Sequence, residues 1–233
     1  MQDNRVLAVD ALPCRYRLYA LLDRTLIKFG DIAIHGYHPF IILRNILNRI
    51  AFKTFLNSDA IYRCMTEEGF YIYLPLNDQA SASMIFERNY APLISGLIRD
   101  SASEFDVYID VGANLGYFCL LACTKNKDLR VVAIEPNDEL CDLISQSMKY
   151  NGYENYMILQ KALGQTKQDV MLLTAKGQSS TSRTTYIGNA KGKVVEMTTL
   201  DDVILNNEYS APGFLGHRIR ITLCPRRWED AGC

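Results

Sequence analysis

Val107-Tyr108-Ile109-Asp110-Val111-Gly112-Ala113-Asn114-Leu115-Gly116-Tyr117-Phe118, followed by Val131-Val132-Ala133-Ile134-Glu135-Pro136-Asn137, is the stretch that decides the fold. The first apolar run reads as a buried strand, the glycines as a turn, and the apolar residues after Gly116 as a helix. The second apolar run reads as another buried strand, which stops at a carboxylate. Gly112 and Gly116 suit a turn whose backbone N–H groups approach a ligand with no Cβ in the way. Glu135, at the carboxyl end of the second strand, is placed to accept hydrogen bonds from the two hydroxyls of a ribose. Together these features predict a nucleotide-cofactor site.

Downstream, Asn137 reads as a helix N-cap, with Asp138 and Glu139 favourably placed in the first turn. Leu140, Ile144 and Met148 form the apolar stripe of that helix, and Asn151-Gly152 suits its end. Residues 156–160 read as a third strand. Apolar strands with no polar face, alternating with helices, predict an α/β fold with a parallel sheet covered on both sides. Right-handed crossovers then give the strand order 3-2-1, with the ligand crevice beside the carboxyl end of strand one. Beyond Gly164, residues 169–173 and 193–198 read as two further strands. The polar stretch from Gly177 to Arg183 reads as a loop between them, either closing over a substrate or mobile.

Upstream, residues 71–76 alternate as a strand ended by Pro75, and residues 80–99 suit one helix, or two interrupted at Pro92. Residues 1–60 read as a helical extension. Within it Phe40, Leu43, Ile46, Leu47, Ile50 and Phe55 recur at helical spacing, with Arg44, Asn48, Arg49 and Lys53 on the other face. A helix of this kind packs on the domain with its polar face in solvent, or lies on an anionic membrane through residues 40–56. The first is the expectation here. The boundaries that follow are an extension over 1–60, a strand and helix lead-in over 61–105, a core over 106–213 and an atypical tail over 214–233.

A chain of 233 residues, 48% apolar and 22% charged, suits one sizeable domain with an extension. A net charge of −1 gives no footing for a nucleic-acid partner. The seven cysteines form no CxxC pair and no zinc-ligand spacing, which reads as reduced thiols in a cytoplasmic protein with no metal. Cys119 and Cys123, four apart on one helix face, read as small buried hydrophobes. No signal peptide is visible, and no span of about 20 apolar residues could cross a membrane.

Glycine turns of this kind serve NAD and S-adenosylmethionine (SAM). The NAD fingerprint, G-x-G-x-x-G, receives a pyrophosphate at a helix N-terminus. Here one glycine of that trio is missing and Asp110 leads. A carboxylate repels a pyrophosphate but suits the ammonium of an aminoacyl group, which SAM has and NAD lacks. Asn114 adds a neutral donor and acceptor. The residues therefore favour SAM, with NAD as the alternative.

The chain resembles the FkbM-type family of class I SAM-dependent methyltransferases over residues 84–202. The resemblance rests on Ile109 to Tyr117, Ile134-Glu135-Pro136-Asn137, Lys149-Tyr150-Asn151-Gly152, Lys161-Ala162-Leu163-Gly164 and Thr199-Leu200-Asp201-Asp202. It implies a Rossmann-like sheet and a SAM site. Asp110, Gly112, Ala113, Asn114 and Gly116 would cradle the methionine part and Glu135 the ribose, beside Pro136 and Asn137. Residues 160–162, with Lys161 and Ala162, would border the adenine. It also implies O-methylation of a hydroxyl on a small-molecule or glycan acceptor.

Two departures stand out. The family commonly carries Tyr-Glu-Pro before strand one, where this chain has Tyr90-Ala91-Pro92. After Leu-Asp-Asp the family continues into a central strand reading roughly Lys-Ile-Asp-x-Glu-Gly, which this chain lacks. Residues 218–223 instead alternate arginine and threonine with aliphatics, a pattern for a strand with one exposed face rather than a central one. The expectations are a reading frame lost near residue 214, a sheet incomplete beside strand one with an aggregation-prone edge, and loss of activity. No residue reads as a catalytic base. His35, His38 and His217 read as structural or exposed, and Asp201 and Asp202 as helix-capping or near the acceptor.

Overall fold

A computed structural model describes residues 6–8, 60–78, 80–81, 84–85, 90–175, 178–186, 192–205 and 218–223, with isolated helical positions at Thr25, Pro39, Ile42, Leu43, Ile46 and Ile50. His35, His38, His217 and most of the readings for 1–60 and for the tail lie outside these residues. The chain opens with Val6–Ala8 (β1), a strand where a wholly helical extension was expected. It pairs in parallel with Ile61–Met65 (β2), which pairs antiparallel with Tyr71–Pro75 (β3). Pro92–Ser101 (α1) begins at its proline, as a missing N–H allows.

The core follows the alternation legible in the quoted stretch. Val107–Val111 (β4), Tyr117–Lys125 (α2), Arg130–Ile134 (β5), Asp138–Tyr150 (α3) and Tyr156–Leu159 (β6) succeed one another. β4, β5 and β6 are parallel neighbours in the expected order. Every residue of β4 is buried, as a strand covered on both faces requires. On one face Tyr108, Val131 and Ala133 pack with α2, α3 and the aromatic residues of β2 and β3. On the other, Val107, Ile109, Val132 and Ile134 pack with Val203 of the short helix Leu200–Leu205, labelled α4.

α3 obeys its local signals. Asn137 caps it by accepting from the Glu139 N–H at 3.0 Å, and Leu140, Ile144 and Met148 are buried. Asn151 ends it and also reaches across the chain. Its Oδ1 accepts from the Tyr71 N–H at 2.8 Å, its Nδ2 donates to the Tyr71 carbonyl at 2.6 Å, and Ser147 Oγ accepts from the Tyr73 N–H at 3.0 Å. The outer edge of β3 is thus paired by helix side chains instead of a strand.

A second sheet gathers Ala162–Leu163 (β7), Gln168–Ala175 (β8), Gln178–Tyr186 (β9) and Lys193–Thr198 (β10), in the order β7-β10-β8-β9. The polar stretch read as a loop is in fact strand β9, antiparallel to β8 from Val170↔Tyr186 to Ala175↔Gln178. Pairing with β8, which its own polar composition does not announce, makes this stretch a strand.

The largest correction is Ile219–Leu223 (β11). It pairs in parallel with β4, in register Ile219↔Val107 to Leu223↔Val111, so the strand-one edge is covered. Ile219 and Ile221 join the Val107–Ile109 side of the core. Arg218 is accommodated: its side chain is 64% exposed and pairs with Asp106 at 3.1 Å. Arg220 is met only in part, its guanidinium 5.9 Å from the Phe105 ring centroid and its Nε buried without a hydrogen-bond partner. The position expected to be vacant is filled by residues of another sequence.

Of the apolar stripe read in the N-terminal segment, Leu43, Ile46 and Ile50 are 46%, 50% and 46% exposed, and the rest lies outside the described residues. No helix among the described residues is long and apolar enough to cross a membrane.

Candidate cofactor site

The strand ends of β4 and β5 converge on the glycine turn. Gly112 and Gly116 take φ of +72° and +76°, and Asn114 takes +54°, a left-handed conformation that asparagine tolerates. A Cβ on Gly116 would stand 3.0 Å from Ile144 Cγ1, so glycine also lets α2 and α3 approach closely. The turn's amides are engaged within the chain, contrary to the expectation that they face a ligand. Gly112 and Ala113 N–H donate to the Ile134 carbonyl at 2.8 and 3.1 Å, and Gly116 N–H to the Ala113 carbonyl at 2.8 Å.

Glu135 completes this bracing. It is fully buried, and its carboxylate accepts from the Asn114 N–H at 2.9 Å and the Asn137 N–H at 3.1 Å. One side chain therefore ties the turn after β4 to the start of α3. Pro136 between them is buried.

Beside the turn lies a recess of about 460 Å3, its open mouth included. Its lining combines the polar side chains of Asp110, Asn114 and Thr222 with Gly112 and Ala113 of the turn and the apolar and aromatic side chains of Met84, Tyr90, Leu115, Tyr117 and Phe118. Thr222 reaches it because β11 sets this residue opposite Asp110 in register. Tyr90 stacks edge-on to Tyr117 at 5.2 Å and lies 5.7 Å from Phe118. Sequence reasoning did not single out these aromatic residues or Thr222. Tyr90, Tyr117 and Phe118 stood in motifs already noted, whereas Thr222 lay in a strand judged unfit for the sheet centre.

The polar side is poised for a particular kind of guest. Asp110 is 2% exposed, and burial, reinforced by the charge of Glu135, pushes its carboxyl up to about 7 despite a hydrogen bond from Cys119 Sγ at 3.3 Å. Burial and the neighbouring carboxylate hold the Cys119 thiol well above its ordinary range, so it donates as a neutral S–H. Among the described residues no cationic side chain offsets Asp110. Asn114 Oδ1 is buried and accepts no hydrogen bond. A buried acid and a buried acceptor on one wall suit a cationic group with N–H or O–H donors.

The remaining predicted residues lie apart from the recess. Lys161 pairs with Glu196 at 2.6 Å, and Ala162 begins β7 in the second sheet. They stay near Glu135 through Leu159, whose carbonyl accepts both the Glu135 and Lys161 N–H, at 3.0 and 2.8 Å. Asp202 closes a capping pair with Thr199 at 2.7 Å and meets Lys167 at 2.7 Å, so it serves α4.

No family model matches the chain, and no curated protein matches it. Among solved structures it is similar to a precorrin-6y C5,15-methyltransferase from Geobacter metallireducens GS-15, at 18% identity over 29% of this chain and 37% of that one, TM-score 0.26. A tRNA m1G37 methyltransferase from M. jannaschii is 17% identical over 46% of this chain and 34% of that one, TM-score 0.31. A coclaurine N-methyltransferase bound to N-methylheliamine and SAH is 13% identical over 65% and 45%, TM-score 0.28. The chain spans between about a third and a half of the length of these solved chains.

Proposed function

We propose that the chain is a SAM-dependent methyltransferase, and that its acceptor is a hydroxyl on a small molecule or glycan. The observation that carries the cofactor assignment is Asp110, a buried carboxyl facing the recess with no cation beside it. An aminoacyl ammonium supplies that charge, and Asn114 Oδ1 offers a second acceptor to the same ligand. When bound, SAM supplies an electrophilic methyl on a sulfonium. The chain's own part is orientation: the glycine bend contributes to the lining, Glu135 holds the bend rigid, and the rings of Tyr90, Tyr117 and Phe118 exclude water from the same recess. Support for the hydroxyl acceptor is the resemblance to the FkbM-type family, carried by the Glu135-Pro136-Asn137, Asn151-Gly152, Ala162-Leu163-Gly164 and Thr199-Leu200-Asp201-Asp202 steps together.

A second reading, a SAM-binding module without turnover, draws on the lining itself. Among the described residues the recess holds no histidine or lysine, and Asp110 is its sole carboxyl. Calorimetric titration with SAM, S-adenosylhomocysteine and NAD tests both. SAM and S-adenosylhomocysteine are expected to bind, with Asp110→Asn weakening both by at least about tenfold, the loss of one charge-assisted contact. Binding without methyl transfer to any hydroxylated acceptor favours the module. Tighter binding of NAD overturns both.

A further inference from the structure

Two carboxyls are buried at the adjoining ends of β4 and β5. Asp110 stands opposite Ala133 in register and Glu135 follows two residues beyond, and they are 2% and 0% exposed. Two like charges in so dry a place do not both persist, so one carboxyl keeps its proton. Hydrogen bonding decides which. Glu135 accepts the Asn114 and Asn137 backbone N–H groups at 2.9 and 3.1 Å, which favours its ionised form. Among the described residues the Asp110 carboxyl accepts only the Cys119 S–H at 3.3 Å, a weak donor. Burial, with the Glu135 charge, accordingly carries Asp110 up to about 7. The other groups around it leave that proton in place. α2 brings Cys119 and Cys123, thiols that burial keeps neutral. β4 brings the Tyr108 hydroxyl, buried without a hydrogen-bond partner and pushed up by burial and by Asp110. β11 brings Thr222, while its Arg220 acts on Tyr108 rather than on Asp110. Tyr90 and Tyr117 add only phenols to the lining.

We infer that an aminoacyl ligand enters the recess by exchange, its ammonium replacing the proton that Asp110 holds in the ligand-free chain. This rests on the SAM reading above and adds a proton to its binding equilibrium. The Asp110 O–H bond breaks, the proton leaves to solvent, and the carboxylate left behind receives the ammonium. Well below pH 7 each binding event releases close to one proton, and affinity rises by up to about tenfold per pH unit on approach to 7. Above 7 the carboxylate is already bare and the dependence flattens, until the ligand's own α-amino group loses its proton near ~8. Binding thereby responds to pH close to neutrality, and Glu135 sets where the transition falls.

The test is calorimetric titration of the full chain with S-adenosylhomocysteine at pH 6 and pH 7.5, in buffers of unlike ionisation enthalpy, so that the heat counts protons released. Close to one proton at pH 6 and far fewer at pH 7.5 are expected, with binding about five- to tenfold tighter at the higher pH. 5′-Methylthioadenosine, which keeps the nucleoside and lacks the aminoacyl arm, should release none at pH 6. Asp110→Asn should release none there with S-adenosylhomocysteine, and Glu135→Gln should move the release to lower pH. Should the Glu135 variant fail to fold, infrared spectra of the unmodified chain take its place: a protonated-carboxyl band at pH 6, missing in Asp110→Asn, should vanish on adding ligand. Binding of S-adenosylhomocysteine with no proton released at pH 6 overturns the exchange and leaves the cofactor reading standing. Release that persists in Asp110→Asn overturns it too, because another group then supplies the proton. If S-adenosylhomocysteine does not bind at all, the cofactor reading falls and the exchange falls with it.

Discussion

Asp110 carries the strongest consequence at the scale of one residue. Its folded carboxyl sits at about 7, above the ~3.9 of an aspartate in an unfolded chain. Between those values the folded chain holds a proton that the unfolded chain has released. The stabilisation is therefore full on the acid side of about 4 and is lost as pH rises through 7. The difference amounts to a few kcal/mol, at most about 4. The unfolding midpoint of the ligand-free protein is expected to fall between pH 5 and 8, and that of Asp110→Asn to stay flat by comparison. A midpoint that rises over this range in the unmodified chain would contradict the assignment. Glu135, read from the sequence as a ribose acceptor, also accepts one backbone amide at each oxygen, from Asn114 and from Asn137, a bracing role its position alone did not reveal. Each oxygen keeps a further lone pair.

Among the elements, those set by local signals were the legible ones. α3 announces its start in Asn137-Asp138-Glu139, its buried face in Leu140, Ile144 and Met148, and its end in Asn151-Gly152. β4 and β5 were visible as apolar runs, and their order followed from the handedness of the crossovers. What escaped reading was pairing between distant segments. β9 looked like a polar loop because its partner β8, not its own composition, makes it a strand. Asn151 looked only like a helix end, though it also closes the edge of β3. Asn151→Ala removes two hydrogen bonds to Tyr71 and leaves that residue's backbone unpaired, which should cost about 2 kcal/mol. Urea unfolding would measure it, and faster amide exchange along β3 than in the rest of the core would show where the loss falls.

Across the whole molecule, β11 fills the place beside β4 that was expected to be empty. The alternation of Arg218, Arg220 and Thr222 with Ile219 and Ile221 argued against a central strand, and β11 is indeed the edge of its sheet, with Arg218 exposed and the isoleucines against the core. The fold supplies Asp106 to Arg218 and a recess to Thr222. A strand completing one side of the sheet and part of one wall should be sensitive on both counts. Ile221→Asp would set an uncompensated charge against the Val107–Ile109 cluster. It is expected to lower the thermal midpoint sharply and to increase aggregation, because β4 becomes an open edge. A melt unchanged by this substitution would mean that β11 contributes nothing to the sheet.

The short leading strand has a mechanical consequence. Because Val6–Ala8 runs alongside Ile61–Met65, two stretches more than fifty residues apart in the sequence meet as neighbouring ribbons, and the first is clasped to the sheet only through the second.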